Sequence, residues 1–268
     1  MRLFYQSLGV SRRSTDGDYA RRLSAILANA ASAGTTIEMR GLSEGRAIAD
    51  QYRYLEYLDT AEIMENGLAA ERDGYDAFLI GNIFEPGLHA LRELLNIPVL
   101  GLCEAAVTLA CLMGPNFSVV NVNPKFARRV TENISSYGLS NRLVSIDQMT
   151  VERPAVFDRA FEDPAMRADV IEQFRAAARR GLAKGAETVI PAGGIVMTLL
   201  AESGVHEVDG APVVNGTIAL VKIGELAASM HRLTGHFTSK RLTYAPPTGA
   251  LLEDVRRVYG AHLYPPRR

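Results

Sequence analysis

Short apolar runs of strand length alternate along this chain with stretches in which apolar residues recur every three or four positions. The clearest instance runs from Asp76 to Val107. Ala77 to Ile80 is apolar throughout and breaks at Gly81-Asn82, after which Pro86 opens a helical pattern through Leu88, Leu91, Leu94 and Leu95. A second apolar run, Pro98 to Leu102, follows Asn96 and leads into an alanine-rich helix headed by Cys103-Glu104. The same order returns between Glu187 and Val221. Strand Thr188–Ile190 breaks at Pro191-Ala192-Gly193-Gly194, a helix carries Met197, Leu199 and Leu200, and strand Pro212–Val214 breaks at Asn215-Gly216 before another helix. Apolar strands separated by helices predict an α/β fold whose breaks lie together at the carboxyl edges of parallel strands, where such folds bind ligands. The repeated plan predicts two pseudo-symmetric lobes, with parallel-type sheets flanked by helices and an active-site cleft between them. Helix N-termini around that cleft would favour an anionic group such as a carboxylate.

The remaining pattern fills in the frame. Strands are predicted at Arg2–Ser7, Thr36–Met39, Phe117–Val120 and Leu143–Ile146, and helices at Asp18–Ala31, Leu55–Asp73, Lys125–Tyr137 and from Asp163-Pro164 to Lys184. Asp16 or Asp18 is the expected cap of the first helix, with Leu23, Ile26 and Leu27 as its buried stripe. Gly41 to Tyr54 has no clean period and reads as a loop that either overhangs the cleft or is a solvated connection. Asp147 to Pro164 is irregular and carries Glu152, Arg153 and Asp158, while Asn121-Val122-Asn123-Pro124 is a further polar turn expected at the cleft. From about Ser229 the period deteriorates. The tail from His231, with one helical stretch at Ala250–Val258, reads as a surface-wrapping appendage or as an arm on a partner subunit. Residues 1–115 and 205–230 are therefore expected to form one lobe, 116–204 the other, and 231–268 a C-terminal extension.

Composition narrows the function classes. The chain has 268 residues, 47% of them apolar, and a formal net charge of −1. It can bury a substantial core, and it lacks the basic surplus that nucleic-acid or membrane-surface binding draws on. No apolar run reaches the ~18 residues of a membrane span, and the Met1–Tyr5 start reads as a strand, so a cytoplasmic protein is expected. Cys103 and Cys111 fall on one predicted helix, about 12 Å apart at ~1.5 Å per residue, too far for a disulfide. Reduced thiols are expected.

Asp76 to Ala106 resembles the first half-site of the aspartate/glutamate/hydantoin racemase superfamily. Glu85-Pro86-Gly87-Leu88 matches its acidic-Pro-Gly-Leu turn, Ile97-Pro98-Val99 its second strand, and Gly101-Leu102-Cys103-Glu104-Ala105 its Gly-X-X-Glu-Ala corner. Gly185-Ala186-Glu187 before a strand and Pro212-Val213-Val214 before a helix are similar to the second half-site, and the likeness spans roughly residues 1 to 230. The resemblance implies the two-lobed fold and a cofactor-independent enzyme acting on a small molecule. Racemases of this kind place a cysteine in each half-site turn, one on each face of the reacting carbon. The matching positions here are Asn82 and Gly193, and neither takes a proton from carbon. The Asn-Thr pair after the family's first strand is Leu8-Gly9.

Candidate chemistry follows from these positions. Cys103 and Glu104 stand in the first turn of a helix, where the dipole lowers a thiol pKa, and with Asn82 they are the catalytic candidates. Glu85, Asn121, Asn123, Gly193, Gly194, Asn215 and Thr217 are the substrate-binding candidates, offering amides, a hydroxyl, a carboxylate and glycine-exposed backbone. His89, one turn after Glu85, is expected to pair with it, and no tight metal-ligand motif stands out. With both thiol positions changed, hydrolytic or lyase chemistry on a small carboxylate-bearing or cyclic amide (hydantoin-like) substrate is expected in preference to two-cysteine racemisation. The alternatives are a racemase or isomerase with substituted acid/base residues, and a small-molecule binding protein without turnover. A homo-oligomer is expected, with no cofactor, no metal, no nucleic acid and no membrane partner.

Overall fold

The computed structural model describes residues 1–11, 17–43, 52–150 and 156–266. β1 (Arg2–Ser11), α1 (Asp18–Ala30), β2 (Thr36–Leu42), α2 (Arg53–Arg72), β3 (Ala77–Ile80), α3 (Leu88–Leu94), β4 (Val99–Gly101) and α4 (Leu102–Met113) follow one another in the first part of the chain. β5 (Phe117–Asn121), α5 (Pro124–Ser136), β6 (Leu143–Gln148), α6 (Val156–Arg159), α7 (Pro164–Ala183), β7 (Thr188–Ala192) and α8 (Gly194–Glu202) come next. β8 (Glu207–Val208), β9 (Ala211–Pro212), α9 (Gly216–Thr234) and α10 (Gly249–Tyr259) close it.

The first sheet has the order β2-β1-β3-β4 and the second β6-β5-β7, and every pairing within them is parallel. β3, β4, β5 and β7 are buried along their whole length, which is why they read as unbroken apolar runs rather than as alternating ones. One apolar cluster joins residues of both sheets, from Leu3, Tyr5 and Leu79 to Val119, Val189 and Ile190, with Leu23 and Leu27 of α1 and Ala219, Leu220 and Val221 of α9. A smaller cluster around Phe4, Phe78, Ile63 and Leu91 fills the other face of the first sheet. Two parallel-sheet lobes flanked by helices are thus what the apolar pattern predicts.

Several local expectations need correction. α1 is preceded by Gly17 with no side-chain cap, and Asp18 lies inside the first turn and pairs with Arg21; Asp16 is outside the described residues. α3 begins at Leu88 rather than Pro86, because Glu85 and Gly87 both take positive φ, 56° and 77°, and no helix runs through such residues. Pro212–Val214 is not a full parallel strand. Ala211–Pro212 pairs antiparallel with Glu207–Val208, and Val213 alone of that run makes a parallel bridge, to Val189. A proline has no N–H to give to a ladder. α9 does not fade at Ser229 but continues to Thr234, where Gly235 takes the left-handed cap at φ 75°. Within the predicted loop Gly41 to Tyr54, Gly41 and Leu42 belong to β2 and α2 already begins at Arg53; 44–51 lie outside the described residues, as do Glu152, Arg153 and the side chain of Asp158.

The tail folds back on α3. Lys240 Nζ donates to the carbonyls of Arg92, Glu93 and Leu95 at 2.5, 2.8 and 2.7 Å, capping that helix, and Tyr264 donates to Glu93 at 2.7 Å. Among the described residues no helix is long and apolar enough to cross a membrane.

Candidate active site

The site is built where parallel strands end. Gly81 follows β3 and presses on Tyr5 of β1: a Cβ there would lie 2.2 Å from the Tyr5 ring. Burial pushes the Tyr5 hydroxyl pKa up, and that hydroxyl hydrogen-bonds the Thr217 side chain at the start of α9. Asn82 comes next, half-buried, and its Oδ1 accepts from the Phe84 N–H at 2.8 Å, an Asx turn that fixes the amide at the strand end.

Glu85 is the buried centre of this turn. It is 5% exposed, sits at φ 56°, and turns its carboxylate onto Gly101, whose missing Cβ would fall 1.9 Å from Oε1. Oε1 accepts from the Glu104 N–H at 2.8 Å, which caps α4 from outside its own chain segment. Oε2 accepts from the Tyr137 hydroxyl and from Asn133 Nδ2, at 3.4 Å for the latter. Burial outweighs these donors and raises the Glu85 pKa to about 8; the neighbouring Glu104 carboxylate adds to the rise. Glu85 is therefore a brace between β4, α4 and α5. It does not cap α3, and both of its carboxylate oxygens are already engaged, by the Glu104 N–H, Tyr137 and Asn133.

Glu104 is equally committed, taking both ends of the Arg92 guanidinium in a two-pronged ion pair, with the Nη1 to Oε1 contact at 3.0 Å. Cys103 is 1% exposed. Burial first, then the Glu85 and Glu104 carboxylates, push its thiol well above the ordinary value. Burial decides between the helix dipole and the opposing carboxylates: an end-of-helix field amounts to under one pKa unit at an exposed site, against the full desolvation of a thiolate. His89 does not pair with Glu85 either; it is exposed, stacks on Tyr244 and lies 2.7 Å from its hydroxyl.

On the second sheet, Asn121 ends the central strand β5 opposite Ala192, and Val122 Cγ1 lies 3.7 Å from where a Gly193 Cβ would stand. Asn121 is 1% exposed and its Nδ2 donates to the Asn123 carbonyl at 2.9 Å. Asn123 caps α5, accepting from the Phe126 N–H at 3.1 Å. Gly193 and Gly194 are half-buried at the N-terminus of α8, where the first helical N–H groups have no partner within the helix. Asn215 and Thr217 are taken up by structure: Asn215 caps α9 and donates to the Met197 carbonyl at 2.7 Å, and Thr217 meets Tyr5 and the Met197 sulfur.

These turns share one region. Gly216 at the head of α9 is wedged between Leu102 of α4 and Met197 of α8, with an added Cβ 2.8 and 2.9 Å from their side-chain ends, so a larger residue would push those ends aside. On the other flank α5 grips the first turn: Phe126 packs edge-on against Phe84, the Arg129 guanidinium lies over the Phe84 ring, and Asn133 donates to the Ile83 carbonyl at 3.1 Å. Tyr137, Asn133, Arg129 and Arg92 were not singled out from sequence. The four-residue spacing of Arg129, Asn133 and Tyr137 marks one helical face, yet nothing local says that this face meets residues 83–85. Among the described residues no three His, Cys, Asp or Glu side chains are grouped as a metal ion would require.

Residues 8–224 match the family model described as Asp/Glu/Hydantoin racemase. A hydantoin racemase of Pseudomonas sp. (strain NS671) is 33% identical over 219 residues, 82% of this chain and 83% of that protein. A hydantoin racemase of Paenarthrobacter aurescens is 30% identical over 217 residues, 80% and 86% of the two chains. In three dimensions the allantoin racemase of Pseudomonas fluorescens superposes with a TM-score of 0.74 at 25% identity, covering 93% of this chain and 98% of that one. A glutamate racemase of Bacillus anthracis shares the fold alone, with a TM-score of 0.61 at 14% identity over 96% and 92% of the chains. These relatives correct the expectation of hydrolytic or lyase chemistry, since the proteins most of whose length this chain matches are named as racemases.

Proposed function

The chain belongs to the Asp/Glu/hydantoin racemase family, and from that membership we propose that it interconverts the enantiomers of a 5-substituted hydantoin or a kindred cyclic ureide. The observation that carries this reading is the 33% identity to a hydantoin racemase over 82% of the chain. The chemistry requires the C5–H bond to break, its electron pair to move into the adjacent ring carbonyl as an enolate, and a proton to return to C5 from the opposite face. Asn82 and the helix-terminal N–H groups at Gly193-Gly194 suit the enolate oxygen, because fixed dipoles aimed at developing charge need no reorganisation.

Proton carriage differs from a two-thiol scheme. An amide at 82 and a glycine at 193 bind no exchangeable proton of suitable pKa, and Cys103 is buried and held protonated. Among the described residues outside its own chain segment, Val122 alone comes within 4 Å of a Cβ position at Gly193, whereas the Tyr19 hydroxyl closes the position at Gly194. In this reading the protein stabilises the enolate while solvent carries both protons: water on one face of the ring takes the C5 proton, and water on the opposite face returns one to C5. The test is incubation of single enantiomers of a 5-substituted hydantoin in heavy water, followed by chiral chromatography and mass spectrometry. Loss of optical purity from either enantiomer, with one deuterium at C5 and an intact ring, is the expected outcome. A ring-opened carbamoyl product, or retained configuration, would sink the proposal.

A further inference from the structure

Asn121 holds a buried acceptor that the protein itself leaves without a donor. Its side chain sits at the carboxyl edge of the central strand, beside Ala192 and Gly193. One end of its amide faces the Asn123 carbonyl at 2.9 Å; since two acceptors do not bond, that end is the NH₂, and the other is the oxygen. Oδ1 is sealed from solvent, and no described residue donates a hydrogen bond to it. Buried acceptors are nearly always satisfied, so an orphan at a site edge calls for a partner brought by something else.

We infer that Asn121 is the residue by which the site selects a ring N–H, its side-chain oxygen accepting a hydrogen bond from an N–H of the substrate ring. The inference rests on the cyclic-ureide reading above and adds what that reading does not contain, a named acceptor and the substrate feature it selects. A hydantoin ring carries two N–H donors flanked by carbonyls, and either presents a hydrogen to such an oxygen. A carboxylate placed there would set acceptor against acceptor. The Asn123 carbonyl holds the amide in this orientation, since turning it over would set Oδ1 against that carbonyl oxygen, acceptor against acceptor. Sites built to bond a substrate N–H reject analogues lacking it more strongly than shape alone allows.

Calorimetric titration of the full chain with three achiral rings tests this: hydantoin, oxazolidine-2,4-dione, in which oxygen replaces the N1–H, and 3-methylhydantoin, in which methyl replaces the N3 hydrogen. The wild type is expected to bind hydantoin at least ~10-fold tighter than one of the two analogues. In Asn121→Ala, and in Asn121→Ser as a second variant, that preference should fall to within ~2-fold, with unchanged circular dichroism showing that the fold survives. Equal binding of all three rings by the wild type, or a preference kept in both variants, overturns the inference. The racemisation assay run in parallel separates the two claims. A wild type that racemises hydantoins without an Asn121-dependent preference defeats this inference alone; one that neither racemises nor binds the ring defeats the functional reading and this inference with it.

Discussion

The Tyr137 hydroxyl of one lobe donates to the Glu85 carboxylate of the other, and through it the helix α5 holds the turn that begins at Asn82. Glu85 then passes the link to the Glu104 N–H, so a residue of the second sheet's layer helps seat the N-terminus of α4. The first half-site is therefore tied to α5 through a buried acid, and to α8 and α9 of the second through the contacts around Gly216.

That acid makes stability depend on pH. Its folded-state pKa, about 8, lies above the value of 4.5 expected of an unfolded glutamate, so between these values the folded chain binds a proton that the unfolded chain has lost. Stability then falls as pH rises through this window, by up to about 1.4 kcal/mol per pH unit, and is unaffected by Glu85 below it. Glu85→Gln, which copies the neutral acid, should abolish this part of the slope. Urea unfolding of both proteins from pH 4 to 9 reads the difference; parallel curves would show that Glu85 is ionised in the fold.

Cys103 should be silent. A thiol buried and held protonated neither attacks a substrate nor reacts with reagents. Cys103→Ala is expected to keep racemase activity within about threefold, well below the 10²-fold scale of a lost acid/base. The native protein should titrate Cys111 with an aromatic disulfide reagent and expose Cys103 only on unfolding. A rate loss above tenfold in a folded Cys103→Ala variant would return the thiol to the chemistry.

Gly101 has no room for a side chain, because an added Cβ would overlap Glu85 Oε1 at 1.9 Å. Gly101→Ala should destabilise by about 2 kcal/mol or more through the displaced carboxylate. The double variant Gly101→Ala, Glu85→Ala should lose less than the sum of the single changes, since the second removes the clash. Additive losses in thermal unfolding would place the strain elsewhere.

Lys240 caps α3 with three hydrogen bonds from a charged donor. Lys240→Met keeps the stem and removes the donors, and should lower stability by about 1–2 kcal/mol, or about 2–4 °C in Tm. Since the contact lies on α3 and not on the strand ends that carry Asn82 and Gly193, turnover per folded molecule should not change. A variant with unaltered Tm and weakened turnover would assign the tail a role at the site.

The apolar runs at residues 77–80, 98–102, 117–120 and 188–190 determined their own strands, because strands covered on both faces have no polar positions to confuse the period, and the helices between them forced parallel pairing. The motif around Glu85-Pro86-Gly87-Leu88 was enough to reveal the family. What the sequence could not decide was which polar groups are spent on structure. Glu104, Glu85, Asn215 and Thr217 look like cleft chemistry from their positions, yet Arg92, Tyr137, Met197 and Tyr5 claim them through contacts 12, 52, 18 and 212 residues away along the chain. Asn121 shows the converse, one end of its amide satisfied two residues on and the other left bare. Periodicity reports burial because burial repeats with the backbone; whether a buried polar atom is paired depends on where other segments arrive, and only the tertiary fold brings them there.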